Sequence, residues 1–200
     1  MATQSNVHFY VNWAKERLDE MEAVLTSLEG KAGEVQADAR DKASKALADL
    51  RKNRDVFRDT VKKQAEANEA AWTSAMARLE PEWNSFEAEV KKYVESFSKQ
   101  VEQQQATFKL QAAAQLKAWR EAADKLGSDA KQFTTARQAE IDAAVKRMQA
   151  DAAAAEEKLR KQLDQVGGQS WSALMAALTE TRAAFDRANQ AAREAFKRAA

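Results

Sequence analysis

Two hundred residues carry one proline and five glycines, and this shortage of chain breakers constrains the fold more than any other feature. Proline and glycine are the usual punctuation between secondary-structure elements, so a chain almost without them has few places to turn. At a rise of about 1.5 Å per residue, one helix of this length would reach roughly 300 Å. The chain therefore either folds back at its few breakers or forms a long rod. Alanine, lysine, arginine, glutamate and glutamine, all strong helix formers, fill the stretches between the breakers. Strands are not expected.

Apolar spacing gives the same answer. Val7, Val11, Ala14, Leu18, Met21, Leu25 and Leu28 recur in steps of three and four, the spacing that aligns side chains on one face of a helix, with Ser5 or Asn6 before them as a cap. Gly30 and Gly33 bracket Lys31-Ala32, either a tight connection or a soft spot in a continuing helix. From Glu34 to Leu79 the pattern is helical throughout, with Leu47, Leu50, Phe57 and Val61 as its larger apolar residues. Pro81 predicts a kink or a restart at Glu80-Pro81. Trp83, Phe86, Val90, Tyr93 and Phe97 form a further stripe that fades into Gln103-Gln104-Gln105. Gly127-Ser128 is the next expected stop, followed by a helix through Phe133, Ile141, Val145, Met148, Leu159 and Leu163. Gly167-Gly168 is the strongest stop, and Ser170 caps the last helix. The fold class expected is all-α, an elongated antiparallel bundle of long, coiled-coil-like amphipathic helices.

Charge placement supports solvent-facing helix. Acid-to-base pairs four residues apart recur at Asp38/Lys42, Asp41/Lys45, Asp59/Lys63, Glu87/Lys91, Glu95/Lys99, Glu121/Lys125, Asp142/Lys146, Glu157/Lys161 and Glu194/Arg198. Each such pair contributes about 0.2–0.5 kcal/mol on a helix surface. The formal net charge is only +1, which argues against a nucleic-acid binder, since those concentrate positive charge on one face.

A diverged internal repeat is present. Trp72, Leu79 and Phe86 are spaced by seven, as are Trp119, Leu126 and Phe133, and again Trp171, Leu178 and Phe185. Leu28, Leu47 and Leu50 find apolar counterparts at Leu126, Val145 and Met148. The offset, near half the chain, suggests duplication of a helical unit, with residues 1–100 as the first copy and 101–200 as the second.

Reactive groups are few. With no cysteine, neither a disulfide framework nor thiolate chemistry is available, which fits a reducing compartment. His8 is the only histidine, so neither a two-histidine carboxylate di-metal site nor a usual zinc site can be assembled, and a packing or surface role is expected for it. Glu156-Glu157 and Asp38/Asp41 lie on charged faces with basic residues a turn away, unlike a converging acid–base pair. No phosphate loop or serine elbow is present. No catalytic residue, cofactor or metal is therefore expected.

The tryptophans, Trp13, Trp72, Trp83, Trp119 and Trp171, fall at helical spacing with other apolar residues, which predicts burial between helices. In the last segment Trp171, Leu174, Met175, Leu178, Phe185 and Phe196 form one face, with Arg182, Arg187, Arg193, Lys197 and Arg198 around it. This face either closes a bundle or meets a partner, a lipid surface or a hydrophobic granule. Runs such as Ala112-Ala113-Ala114 and Ala152-Ala153-Ala154-Ala155 let helices approach but bury little area, so a modestly stable monomer that oligomerises or binds another helical protein is expected.

The run Lys31-Ala32, Ala37-Asp38-Ala39-Arg40, Leu47, Leu50-Arg51-Lys52-Asn53-Arg54-Asp55-Val56-Phe57-Arg58, then Ala70-Ala71-Trp72, Trp83 and Phe86, resembles the small bacterial helical stress-response proteins across roughly residues 15–97. What the resemblance implies is a cytoplasmic, coiled-coil-like accessory protein without catalysis; Pro81 and the second half depart from the short form. A weaker likeness, in alanine richness and the amphipathic last helix, is to phasins. The function expected is thus a self-associating structural protein linked to stress response, with a phasin-like coat of lipid surfaces as the alternative.

Overall fold

The computed structural model describes residues 7–64, 66–98, 100–131, 135–164 and 170–199. Ser5, Asn6, Phe133, Gly167, Gly168 and the Leu163 side chain lie outside these. Among the described residues the chain is all-α, with six long helices: α1 Val7–Lys31, α2 Arg40–Lys63, α3 Glu69–Phe97, α4 Val101–Ala130, α5 Thr135–Asp164 and α6 Trp171–Ala199. Two 3-10 turns, Ala32–Glu34 and Ala37–Ala39, join α1 to α2.

The positions of the reversals follow local chemistry rather than glycine count. At Gly30–Gly33 the chain does turn: α1 ends at Lys31, and ion pairs from Arg51 to Glu29 and from Arg54 to Glu22 place α2 antiparallel to it. The expectation of continuous helix from Glu34 to Leu79 is corrected, because a second reversal lies between Lys63 and Glu69, with neither Gly nor Pro. Asn68 makes it possible. Its backbone is extended and its Oδ1 accepts from the Ala71 N–H at 3.0 Å, satisfying a donor that the first turn of α3 leaves free. Ser170 caps α6 in the expected way, with its Oγ 3.4 Å from the Ala173 nitrogen.

Two expected stops are run through. α3 does not restart at Pro81, which lies inside it. Proline supplies no N–H to the carbonyl of Ala77, but Ala77 and Pro81 both face solvent, so water can take that role. On the opposite side Trp72, Leu79, Trp83 and Phe86 are all buried and hold both halves of the helix in one groove. α4 likewise continues through Gly127-Ser128 to Ala130. There a side chain on Gly127 would meet only Val145 Cγ1, at 3.6 Å.

The helices pack as two compact units, Arg17–Ala114 and Met1–Glu16 with Gln115–Ala200. α1 and α4 divide between them. In the Arg17–Ala114 unit, α2 and α3 pack antiparallel, and Met21, Leu28, Leu50, Phe57, Trp72, Leu79, Phe86 and Phe108 are fully buried. The other unit is built round Trp119, Leu126, Ile141, Phe185 and Phe196. Its rings meet edge to face, Trp119 on Phe185 and Phe9 on Phe196, both at 5.5 Å. Full burial of a large apolar side chain stabilises by about 1.5–3 kcal/mol, so aromatic residues supply what the alanine runs do not. The repeat correspondences fall helix by helix: Leu28 and Leu126 in α1 and α4, Leu47 and Val145 in α2 and α5, Trp72 and Trp171 in α3 and α6, every one buried.

Because α3 tolerates Pro81 rather than using it, Pro81→Ala should raise stability by about 1–3 kcal/mol, with part of the gain offset by the freer unfolded chain. Urea unfolding measures this. An unchanged or lower midpoint would mean that the proline is needed for the path of α3.

Candidate functional site

Among the surface grooves, one in each unit lies between two antiparallel helices and is lined by charged side chains. In the Arg17–Ala114 unit, α2 and α3 flank a groove of about 370 Å³. Lys42 and Lys45 stand at the α2 N-terminal end, where Ser96 and Phe97 face them from α3, and Asp49 and Glu89 stand at the other. Tyr93 lies at the base, buried, with its hydroxyl unbonded, and burial pushes its ionisation up. None of Lys42, Lys45, Asp49 and Lys92 has an ion-pair partner among the described residues. Glu89 accepts a hydrogen bond from Asn53 Nδ2 at 2.7 Å, but desolvation and the nearby Asp49 carboxylate hold its pKa above the ordinary value. Lys92 pulls the other way, but less than desolvation and Asp49 together.

In the other unit, α5 and α6 flank a groove of about 460 Å³. Arg198 Nε and Glu140 close one end at 2.6 Å, with Glu194 beside them; Arg147, Asp151 and Arg187 occupy the other end. The floor is alanine, notably Ala144, Ala191 and Ala195. Arg147 and Arg187 have no ion-pair partner among the described residues.

One of the expected pairs four residues apart forms and two give way to contacts between helices. Glu157–Lys161 closes at 2.7 Å. Glu121 instead takes Lys15 of α1 at 2.7 Å, and Arg198 takes Glu140 rather than Glu194. A group offered a partner on a neighbouring helix gains more fixed geometry than one spanning a turn of its own.

A polar ladder inside the bundle is the feature that the sequence reading missed. Gln103, Thr107, Gln111 and Gln115 recur every fourth residue on α4 and are all buried. In the Arg17–Ala114 unit, Ser27 Oγ meets Thr107 Oγ1 at 2.8 Å, Gln111 Nε2 donates to Glu20 at 3.1 Å, and Gln103 donates to Glu34, holding that carboxyl below its usual range. In the other unit, Gln115 Nε2 donates to the Leu178 carbonyl at 3.1 Å and Asn189 Nδ2 to the Phe9 carbonyl at 2.9 Å. The signal was present in the four-residue spacing itself. A polar stripe at helical period reads as a solvated face unless a second, apolar stripe on the same helix shows that both sides are covered; on α4 that stripe is Phe108, Ala112, Trp119, Ala123 and Leu126.

The α6 face lies inside its unit. Trp171, Leu174, Leu178, Phe185 and Phe196 are buried and Met175 is half-buried, so this face closes the bundle rather than lying open. Large apolar side chains left exposed among the described residues are Val56, Val101 and Leu110. His8 is half-buried near Asp129, 3.5 Å away; burial, then Lys125, lowers its pKa against the pull of that carboxylate. Among the described residues, no three metal-ligating side chains converge, and no helix is long and apolar enough to cross a membrane. In comparisons with known proteins, no family model, curated protein or solved structure matches this chain.

The raised Glu89 pKa carries a sign. A carboxyl whose folded pKa lies above its unfolded value penalises the fold when ionised; the penalty is absent below the unfolded value, about 4.3, and grows as pH rises through the folded one. Glu89→Gln keeps an acceptor for Asn53. It should unfold at higher urea than the parent at pH 7, and the advantage should vanish below about pH 4. A variant less stable at pH 7 would show that Glu89 is held by attraction.

Proposed function

We propose that the chain is a non-enzymatic helical structural protein that acts by associating with copies of itself. The observation that carries this is the division of labour between its surfaces. The apolar faces of the helices are spent inside the units, while the grooves carry Lys42, Lys45, Asp49, Arg147 and Arg187 without an ion-pair partner among the described residues. Unpaired charge in a shaped groove gives orientation and specificity to a contact rather than catalysis. A duplication of three helices, α1–α3 into α4–α6, accounts for the paired buried positions. The link to stress response and to a bacterial, cytoplasmic setting comes from the sequence resemblance and belongs to this reading.

A second reading, a coat for lipid or granule surfaces, is favoured by one observation: the ladder of buried polar side chains lowers the cost of opening the bundle, and α6 then offers Trp171, Leu174, Leu178, Phe185 and Phe196 to an apolar surface. The two readings diverge in solution. Self-association predicts a species heavier than the 22.3 kDa chain in sedimentation velocity as concentration rises at low salt, with helicity unchanged by anionic vesicles. A monomer at every concentration, with helix content and tryptophan emission shifting only on vesicles, would replace the first reading by the second.

A further inference from the structure

The two halves of the chain interlock in both units. Residues 17–31 of α1, with α2 and α3, are completed by α4 up to Ala114; the rest of α4, with α5 and α6, is completed by residues 7–16 of α1. Each unit therefore holds a helical segment lent by the other half. These segments are held by specific contacts. In one unit Ser27 meets Thr107, Gln111 donates to Glu20 and Gln103 donates to Glu34. In the other, Phe9 packs on Phe196, Asn189 donates to the Phe9 carbonyl, Arg193 donates to the Tyr10 hydroxyl at 2.7 Å, and Lys15 pairs with Glu121. Residues 98–100 alone join the halves along the chain.

That link carries little instruction to turn. The α1–α2 reversal has Gly30 and Gly33, the α2–α3 reversal has the Asn68 cap, and the chain between α5 and α6 has Gly167, Gly168 and the Ser170 cap. Ser98-Lys99-Gln100 contains neither glycine nor proline. Ser98 leaves the helical path at φ −110° and ψ 62°, and Gln104 Nε2 donates to its carbonyl at 2.9 Å. The apolar pattern ignores the turn. Counted on one uninterrupted helix at about 100° per residue, Leu79, Trp83, Phe97, Val101, Phe108 and Trp119 lie within about 40° of one another. A straight path from α3 into α4 keeps the buried faces of both in register, and Val101, 46 % exposed at the turn, falls on their shared stripe.

We infer that two copies of this chain exchange halves: α3 runs on into α4 as one helix, and α1–α3 of each copy is completed by α4–α6 of the other. Every contact named above between the halves recurs between copies, so the exchange alters only the link. It is a closed pair, because each half finds its complement in the same partner. The exchange goes beyond the self-association proposed above, since it uses the cores rather than the grooves and is indifferent to salt. A short linker holds its two ends at an effective concentration on the order of millimolar. A chain refolding well below that concentration closes on itself, and one refolding near it exchanges.

A disulfide across the Ser27–Thr107 contact reads out which copy supplies each side. The chain has no cysteine, and the two hydroxyl oxygens lie 2.8 Å apart, within reach of a disulfide in Ser27→Cys with Thr107→Cys. This double variant is refolded from urea under reductant at roughly millimolar concentration, separated by size into single-chain and two-chain fractions, and then oxidised. On a denaturing gel without reductant, the two-chain fraction should run at twice the 22.3 kDa chain and the single-chain fraction as one chain. The cysteine-free chain gives a second reading at the link, with circular dichroism to check the fold. Val101→Pro suits the first residue of α4 but not the middle of a helix, so it should weaken the pair by about a hundredfold or more. Gln104→Ala removes a donor that only the turn needs, and should favour the pair by about fivefold. A pair whose disulfides all close within single chains, or one that Val101→Pro leaves intact, overturns the exchange and leaves association through the grooves standing. A chain that stays single after refolding at that concentration removes the exchange and the self-association reading together.

Discussion

A helix covered on more than one side cannot send its polar side chains to water, and in this protein α1 and α4 are both covered that way. Their buried polar groups must find one another or a backbone carbonyl, or each would cost about 1–3 kcal/mol. Ser27 with Thr107, Glu20 with Gln111 and Glu34 with Gln103 meet most of this demand in the Arg17–Ala114 unit, where Gln111 Oε1 is left without a hydrogen bond. Gln115 with Leu178 and Asn189 with Phe9 meet part of it in the other, where Asn189 Oδ1 is left without a hydrogen bond. Apolar packing alone tolerates sliding of one helix along another by a turn; a donor that must meet one acceptor does not. The ladder therefore fixes the register in each unit, and the remaining helices pack their aromatic faces around a pair already set.

Much of this was legible in the residues. The period of Trp83, Phe86, Val90 and Tyr93, and of Met21, Leu25 and Leu28, identifies helices and their buried faces, because only a helical period aligns those side chains. Ser170 was readable as a cap for the same local reason. The reversal before Asn68 was not, because an extended asparagine in front of Glu69 looks like any polar residue in a helical run until the chain is seen to turn. Pro81 and Gly127 mislead in the opposite direction: packing by Trp72, Leu79 and Trp83 outweighs the local preference to break. The grooves were hidden for a third reason. Asp49, Glu89, Arg147 and Arg187 look like ordinary surface charge in the sequence, and only the pairing of α2 with α3 and of α5 with α6 gathers them into grooves.

The same economy explains the surface. Aromatic burial within each unit leaves α6 without an open apolar face, so hydrophobic adhesion requires the bundle to open, whereas charge-directed contact does not.

The central claim is that one chain closes its own apolar core before any association. Its most direct test is the urea unfolding midpoint, followed by tryptophan emission over a wide range of protein concentrations at salt high enough to screen the grooves. Trp72, Trp83, Trp119 and Trp171 are all buried, so emission should report the core in both units. The account predicts blue-shifted emission in buffer alone and a midpoint that does not move with concentration. A midpoint that falls steadily on dilution, with emission already red-shifted before denaturant is added, would mean that the core is completed only between chains and would contradict it.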